Sequence, residues 1–163
     1  MDKQALVDQL IAKLEASART AETESDAAAI EARDGATPGE RVENSRTALE
    51  FSRISRAQAL RAQEIRGAIA ALKKFEAKPF APRARVELGA LVEVEDEAGR
   101  GQTLFLLPVG AGEELVGPGG DGFFKVVTPS SPIGGAVLGK REGDGASARI
   151  RGELKEWTVL WVG

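Results

Sequence analysis

Glu40 and Glu43 stand three residues apart in the stretch Asp34-Gly-Ala-Thr-Pro-Gly-Glu-Arg-Val-Glu-Asn44, and with Asp34 they cluster carboxylates at a Gly/Pro turn. The sequence holds no His and no Cys. That removes the usual general base, disulfides and thiolate metal sites. Any metal must then be held by carboxylate oxygens, a hard ligand set that suits Mg, Mn or Ca. A purely structural account is also available. Thr37 reads as a helix cap with Pro38 at the first helical position, and Glu40 completes a Thr-x-x-Glu capping box. Glu40 and Glu43 then share one face near the positive end of the helix dipole, where acids are favoured on any account.

The elements that position these acids are long. About thirty residues without Gly or Pro precede the turn, and a similar stretch, broken only by Gly67, follows it. Leu6, Leu10, Leu14 and Ala18 or Ala21 fall on one helical face, widened at its base by Val7 and Ile11. Beyond them the seam thins to Ala21, Ser25, Ala28 and Ala32. In the second stretch Phe51, Ser55, Gln58, Ala62, Ile65, Ile69 and Leu72 repeat at alternating four- and three-residue spacing. The large side chains of both stretches lie far from the turn, so an antiparallel pairing brings them into register. The spacing therefore predicts an antiparallel coiled-coil hairpin with the turn at its tip. Each arm of ~30 residues would reach ~45 Å at 1.5 Å per residue.

Charge divides along the same line. Residues 1–39 carry eight acids against four bases, residues 40–78 five against nine, within a net charge of −3. Arms of opposite sign attract along their flanks, as in coiled coils. Alternatively, Arg46, Arg53, Arg56 and Arg61 face a polyanion such as RNA.

Composition shifts near Lys78-Pro79, giving expected domains at 1–78 and 79–163 and an α+β class overall. In the second domain alternation predicts strands over Val86–Val94, Thr103–Val109, Phe123–Val127, Ala148–Arg151 and Glu156–Val162. Leu115 and Val116 form a possible short strand, and one short helix fits Ser131–Leu138. Trp157 and Trp161, four apart in a strand, are expected on one face and in the core. No apolar run approaches the ~18–20 residues that span a bilayer, and the N-terminus lacks the pattern of a signal peptide. A cytoplasmic protein without membrane contact is expected. The acidic balance and the lack of a basic groove-reading motif argue against independent DNA binding.

Two segments resemble the bacterial Gre transcript-cleavage factors. Gly39-Glu40-Arg41-Val42-Glu43-Asn44 is similar to the family's tip motif Gly-Asp-x-Ser-Glu-Asn, with Glu40 in the Asp position and Val42 in place of Ser. Ser131-Pro132-Ile133-Gly134-Gly135-Ala136-Val137-Leu138-Gly139-Lys140-Arg141-Glu142-Gly143-Asp144 is similar to the Ser-Pro-(Ile/Leu)-(Gly/Ala)-x-Ala-Leu-(Ile/Leu)-Gly-Lys-x-x-Gly-Asp segment of its C-terminal domain. The resemblance implies an N-terminal coiled coil and a C-terminal FKBP-like domain. It also implies binding to bacterial RNA polymerase through the secondary channel, with nascent RNA nearby, as an accessory factor rather than an enzyme. Glu40 and Glu43 would offer carboxylates to the polymerase active site and help hold Mg there, no cofactor being bound by the chain alone. Asn44, Ser131, Pro132, Ile133, Gly134 and Leu138 become candidate partner contacts, and Arg46, Arg53 and Arg56 candidate RNA or channel contacts. A monomer is expected.

Two mechanisms follow. The tip either stimulates cleavage of backtracked RNA or occupies the channel without productive chemistry, as a competitor of cleaving factors. The longer Glu40 side chain and Val42 lean slightly toward occupancy. Other classes are a prolyl isomerase, disfavoured by the absence of Tyr and by only four C-terminal Phe residues, and a coiled-coil adaptor whose tip acids are merely solvated.

Overall fold

The computed structural model describes residues 2–34 and 44–163. Two compact units emerge, one formed by Ala12–Ala70 and the other by Met1–Ile11 together with Ala71–Gly163.

The first unit is a helical hairpin made from α1 (Lys3–Asp34) and α2 (Asn44–Lys73), which are 32 and 30 residues long. Leu14, Ala18, Ala21, Ser25 and Ala28 of α1 are buried against a seam that includes Ala62 and Ile69 of α2. Ser25 donates its hydroxyl to the Ser55 carbonyl oxygen at 2.8 Å. Arg66 grips Glu22 with two nitrogens, each at 3.1 Å. Residues that climb in α1 thus meet residues that descend in α2. Small side chains let the backbones approach but bury little apolar area, so this seam is weaker per turn than a leucine seam. The proposed helix start at Pro38, its Thr37 cap and the role of Glu40 in the box all lie outside the described residues.

In the second unit α1 begins under a cap, with the Asp2 carboxylate accepting the backbone N–H groups of Gln4 and Ala5 at 3.0 and 3.2 Å. Leu6, Val7 and Leu10 are buried here. Gln9 pairs with the Val116 backbone in both directions, donating to the carbonyl at 3.1 Å and accepting from the N–H at 2.8 Å. The Lys3 ammonium donates to the carbonyls of Lys78 and Gly89, at 3.1 and 2.9 Å, and lies 4.5 Å from the centre of the Phe80 ring. Partial burial pushes its pKa down.

The sheet contains β1 (Leu91–Asp96), β2 (Gly101–Leu106), β3 (Glu114–Val116), β4 (Phe123–Val127), β5 (Gly145–Ile150) and β6 (Glu153–Val162), with the helix α3 (Pro132–Val137) between β4 and β5. Its six strands run in the order β3-β4-β2-β1-β6-β5. The β2–β4 pair is parallel and the other pairs are antiparallel. Val92, Val94, Leu104, Leu106, Val127, Trp157 and Val159 form one core with Ile133 and Val137 of α3.

Two expectations are corrected. The first strand starts at Leu91 rather than Val86. Val86 is buried and bonds Gly139 and Lys140 through its backbone, but Gly89, at φ +90°, turns the chain before pairing begins. Trp157 and Trp161 do not share a face. Glu93 is paired with Trp161 and Val94 with Val159, so a bulge at Leu160 inverts the alternation between the two tryptophans.

Candidate functional site

Glu40 and Glu43 lie outside the described residues, so their geometry and any metal between them are not part of the observed site. The structure describes the helices on either side of them. α1 ends at Asp34 and α2 begins at Asn44, so residues 35–43 connect the ends of two long antiparallel helices. Among the described residues no group of three carboxylates is placed to hold a metal ion.

On α2, Arg46, Arg53, Arg56 and Arg61 are exposed. They contrast with Arg66, whose guanidinium is held by Glu22. The hydrogen bond from Arg66 comes first in holding the Glu22 carboxyl below its ordinary range, and the opposite charges reinforce it. The acidic and basic arms therefore do attract across the hairpin at this pair, while the four other arginines are exposed. Leu49 and Leu60 are exposed among them. The sequence reading passed over both, because it followed the buried seam. Their spacing to Arg46, Arg53 and Arg56 was the available signal.

The candidate contact segment of the sheet domain divides by burial. The Ser131 hydroxyl donates to the Thr128 carbonyl at 2.8 Å and accepts the Thr128 N–H at 3.0 Å, closing a turn ahead of α3. Ile133 and Gly134 face inward and are buried. A Cβ on Gly134 would collide with the Thr128 carbonyl oxygen and come within 2.7 Å of the Ser131 hydroxyl. Pro132 and Leu138 are exposed and Ser131 partly so. Asp144 closes the following turn by accepting the Arg141 N–H at 2.8 Å.

A second acidic region borders β1 and β6. Asp96 accepts the backbone N–H groups of Arg100 and Ala98, each at 2.9 Å, and the Arg100 guanidinium at 2.8 Å. The backbone bond from Arg100 leads in holding its carboxyl low. Its neighbour Glu97 is shifted the other way, because it shares a hydrogen bond with Glu156 and feels that like charge.

Residues 81–163 match the family described as transcription elongation factor, GreA/GreB, C-terminal. The chain belongs to the GreA/GreB family. A curated relative, transcription elongation factor GreA of Polaromonas naphthalenivorans (strain CJ2), is 32% identical over 102 residues, 63% of this chain and 60% of that protein. Solved structures that align with the chain include the GreA factor homolog Gfh1 of Thermus thermophilus, at 18% identity and a TM-score of 0.36, covering 96% of this chain and 94% of that one. A GreA/GreB factor of Nitrosomonas europaea aligns at 18% identity with a TM-score of 0.38, covering 60% of this chain and 78% of that one. This chain combines a long helical hairpin with a mixed sheet domain holding one short helix.

Proposed function

We propose that this member of the GreA/GreB family binds bacterial RNA polymerase through its secondary channel and presents residues 39–44 to the active site. What supports the reading is that residues 39–43 fall in the sequence between α1 and α2, two helices of about thirty residues, in a chain whose other half matches the family. An arm of ~45 Å is long enough for a deep channel and too thin to build a catalytic pocket of its own. In the channel Glu40 and Glu43 supply two carboxylates, with Asn44 beside them. Mg2+ demands near-octahedral oxygen coordination, so two carboxylates are a partial set, and a shared ion would draw its other ligands from the polymerase and water. The chain is an accessory factor without catalysis of its own, acts in the cytoplasm as a monomer, and needs no independent DNA contact. Among the described residues no helix is long and apolar enough to cross a membrane.

Within this function the tip either promotes cleavage of backtracked RNA or occupies the channel and competes with cleaving factors. Glu40 extends its carboxylate one methylene beyond an Asp, and Mg2+ tolerates misplacement poorly, which favours occupancy slightly. Purified protein is incubated with a backtracked elongation complex and Mg2+. Shortened RNA that disappears with Glu40→Ala/Glu43→Ala identifies a cleavage factor. No shortening, combined with displacement of an active cleavage factor, identifies an occupying regulator. Neither effect sinks the polymerase reading and leaves the adaptor.

A further inference from the structure

The back of α2 carries a second pattern. Arg46, Leu49, Arg53, Arg56 and Leu60 follow one another at three, four, three and four residues, the spacing of a coiled-coil seam. They stand two residues out of step with the inward-facing seam of half-buried Phe51, Ser55 and Gln58 and buried Ala62. At ~100° per residue that offset turns them about 200°, away from α1. All five are exposed, Leu49 at 53% and Leu60 at 56%. Among the described residues none of the three arginines forms a salt bridge, whereas Arg66 and Arg100 do.

We propose that this stripe is a docking face for an acidic amphipathic helix of the polymerase, a refinement that rests on the channel reading above. Arginine suits both carboxylates and phosphates, since its planar fork can pair with either. The leucines decide between them. An RNA backbone gives an exposed leucine nothing to pack against, and unstacked bases prefer aromatic platforms, of which the stripe has none. A helix with apolar residues every three or four positions, flanked by Asp or Glu, matches both halves of the pattern. Its apolar side chains cover Leu49 and Leu60, which stand ~16 Å apart along the axis. Its carboxylates reach Arg46, Arg53 and Arg56.

The test uses the full chain with p-benzoylphenylalanine in place of Leu49 or Leu60, and elongation complexes carrying labelled RNA. Co-elution of the unmodified chain with polymerase is measured first. No co-elution overturns the channel reading and this inference with it. When the chain does co-elute, the expected photoproduct is a polymerase subunit linked within an acidic helical segment. Leu49→Ser/Leu60→Ser and Arg53→Glu/Arg56→Glu should then each weaken polymerase binding about tenfold or more, with unchanged thermal unfolding. Photoproducts on RNA overturn the docking face while leaving the channel reading intact. So does loss of binding with the arginine pair alone, or retention of full binding by both variants.

Discussion

Trp157 and Trp161 lie four residues apart in β6 yet on opposite sides of the sheet, the first 7% and the second 46% exposed. The skipped pairing at Leu160 separates them. Trp157→Ala should therefore cost about 3–5 kcal/mol in a denaturant titration, as large core truncations do. Trp161→Ala should cost clearly less, since about half of that side chain is already exposed to water. Fluorescence gives an independent check. Trp161→Phe should remove the component most readily quenched by acrylamide, and Trp157→Phe should leave it.

Gly134 has no room for a side chain, because the carbonyl of Thr128 and the hydroxyl of Ser131 occupy that space. Gly134→Ala should destabilise the sheet domain by about 1–3 kcal/mol through overpacking. A lowered denaturation midpoint with an unchanged m-value would show it. Gly145→Ala, where a Cβ meets open space, is the control and should shift the midpoint far less.

Among the described residues, the Gln58 amide oxygen is buried in the hairpin without a hydrogen-bond partner. Such an orphan costs about 1–3 kcal/mol. Gln58→Leu should raise the thermal midpoint of the chain, and Ile69→Ala, which empties a buried position, should lower it by an amount equivalent to about 2–5 kcal/mol. A Gln58→Leu midpoint at or below that of the unmodified chain would count against the orphaned oxygen as a weak point.

Asp96 and Glu97 should give opposite pH dependences. Asp96 has a folded pKa below its ordinary value near 3.8, so its stabilising contribution is present above that pH and is lost as acid reaches the lower folded value. Glu97 has a folded pKa above 4.5, so the bond it shares with Glu156 stabilises below 4.5 and fades as pH rises through the folded value. Asp96→Asn should lower the midpoint at pH 7, with the difference closing in strong acid. Glu97→Gln should raise it at pH 7, with the difference closing below 4.5. Thermal melts from pH 3 to 7 would reveal either sign.

Much of this architecture was legible because it rests on period. Leu14, Ala18, Ala21 and Ser25 are buried as their spacing requires, Phe123–Val127 is a strand over its expected span, and α3 lies within Ser131–Leu138. Period also explains the failures. A bulge displaces every later residue in a strand by one position, and nothing in Val159-Leu160-Trp161 announces it. The alternation of Val86, Leu88 and Ala90 imitates a strand, although Gly89 turns the chain there. Ile133 and Gly134 belong to a segment recognised by its similarity, and similarity alone does not separate residues that build a turn from those that face a partner. Glu40 and Glu43 were singled out from sequence, and the described residues fix only the helix ends on either side of them.

The bond between Ser25 and Ser55 has one more consequence. A seam of alanines accepts neighbouring alignments almost equally well, and a slip of one heptad would move one helix past the other by ~10 Å. Such a slip would part this hydroxyl from its carbonyl and bring apolar atoms against both. The serine pair thus works as a length gauge: it penalises slipped alignments, and so sets how the ends of the two helices at Asp34 and Asn44 line up.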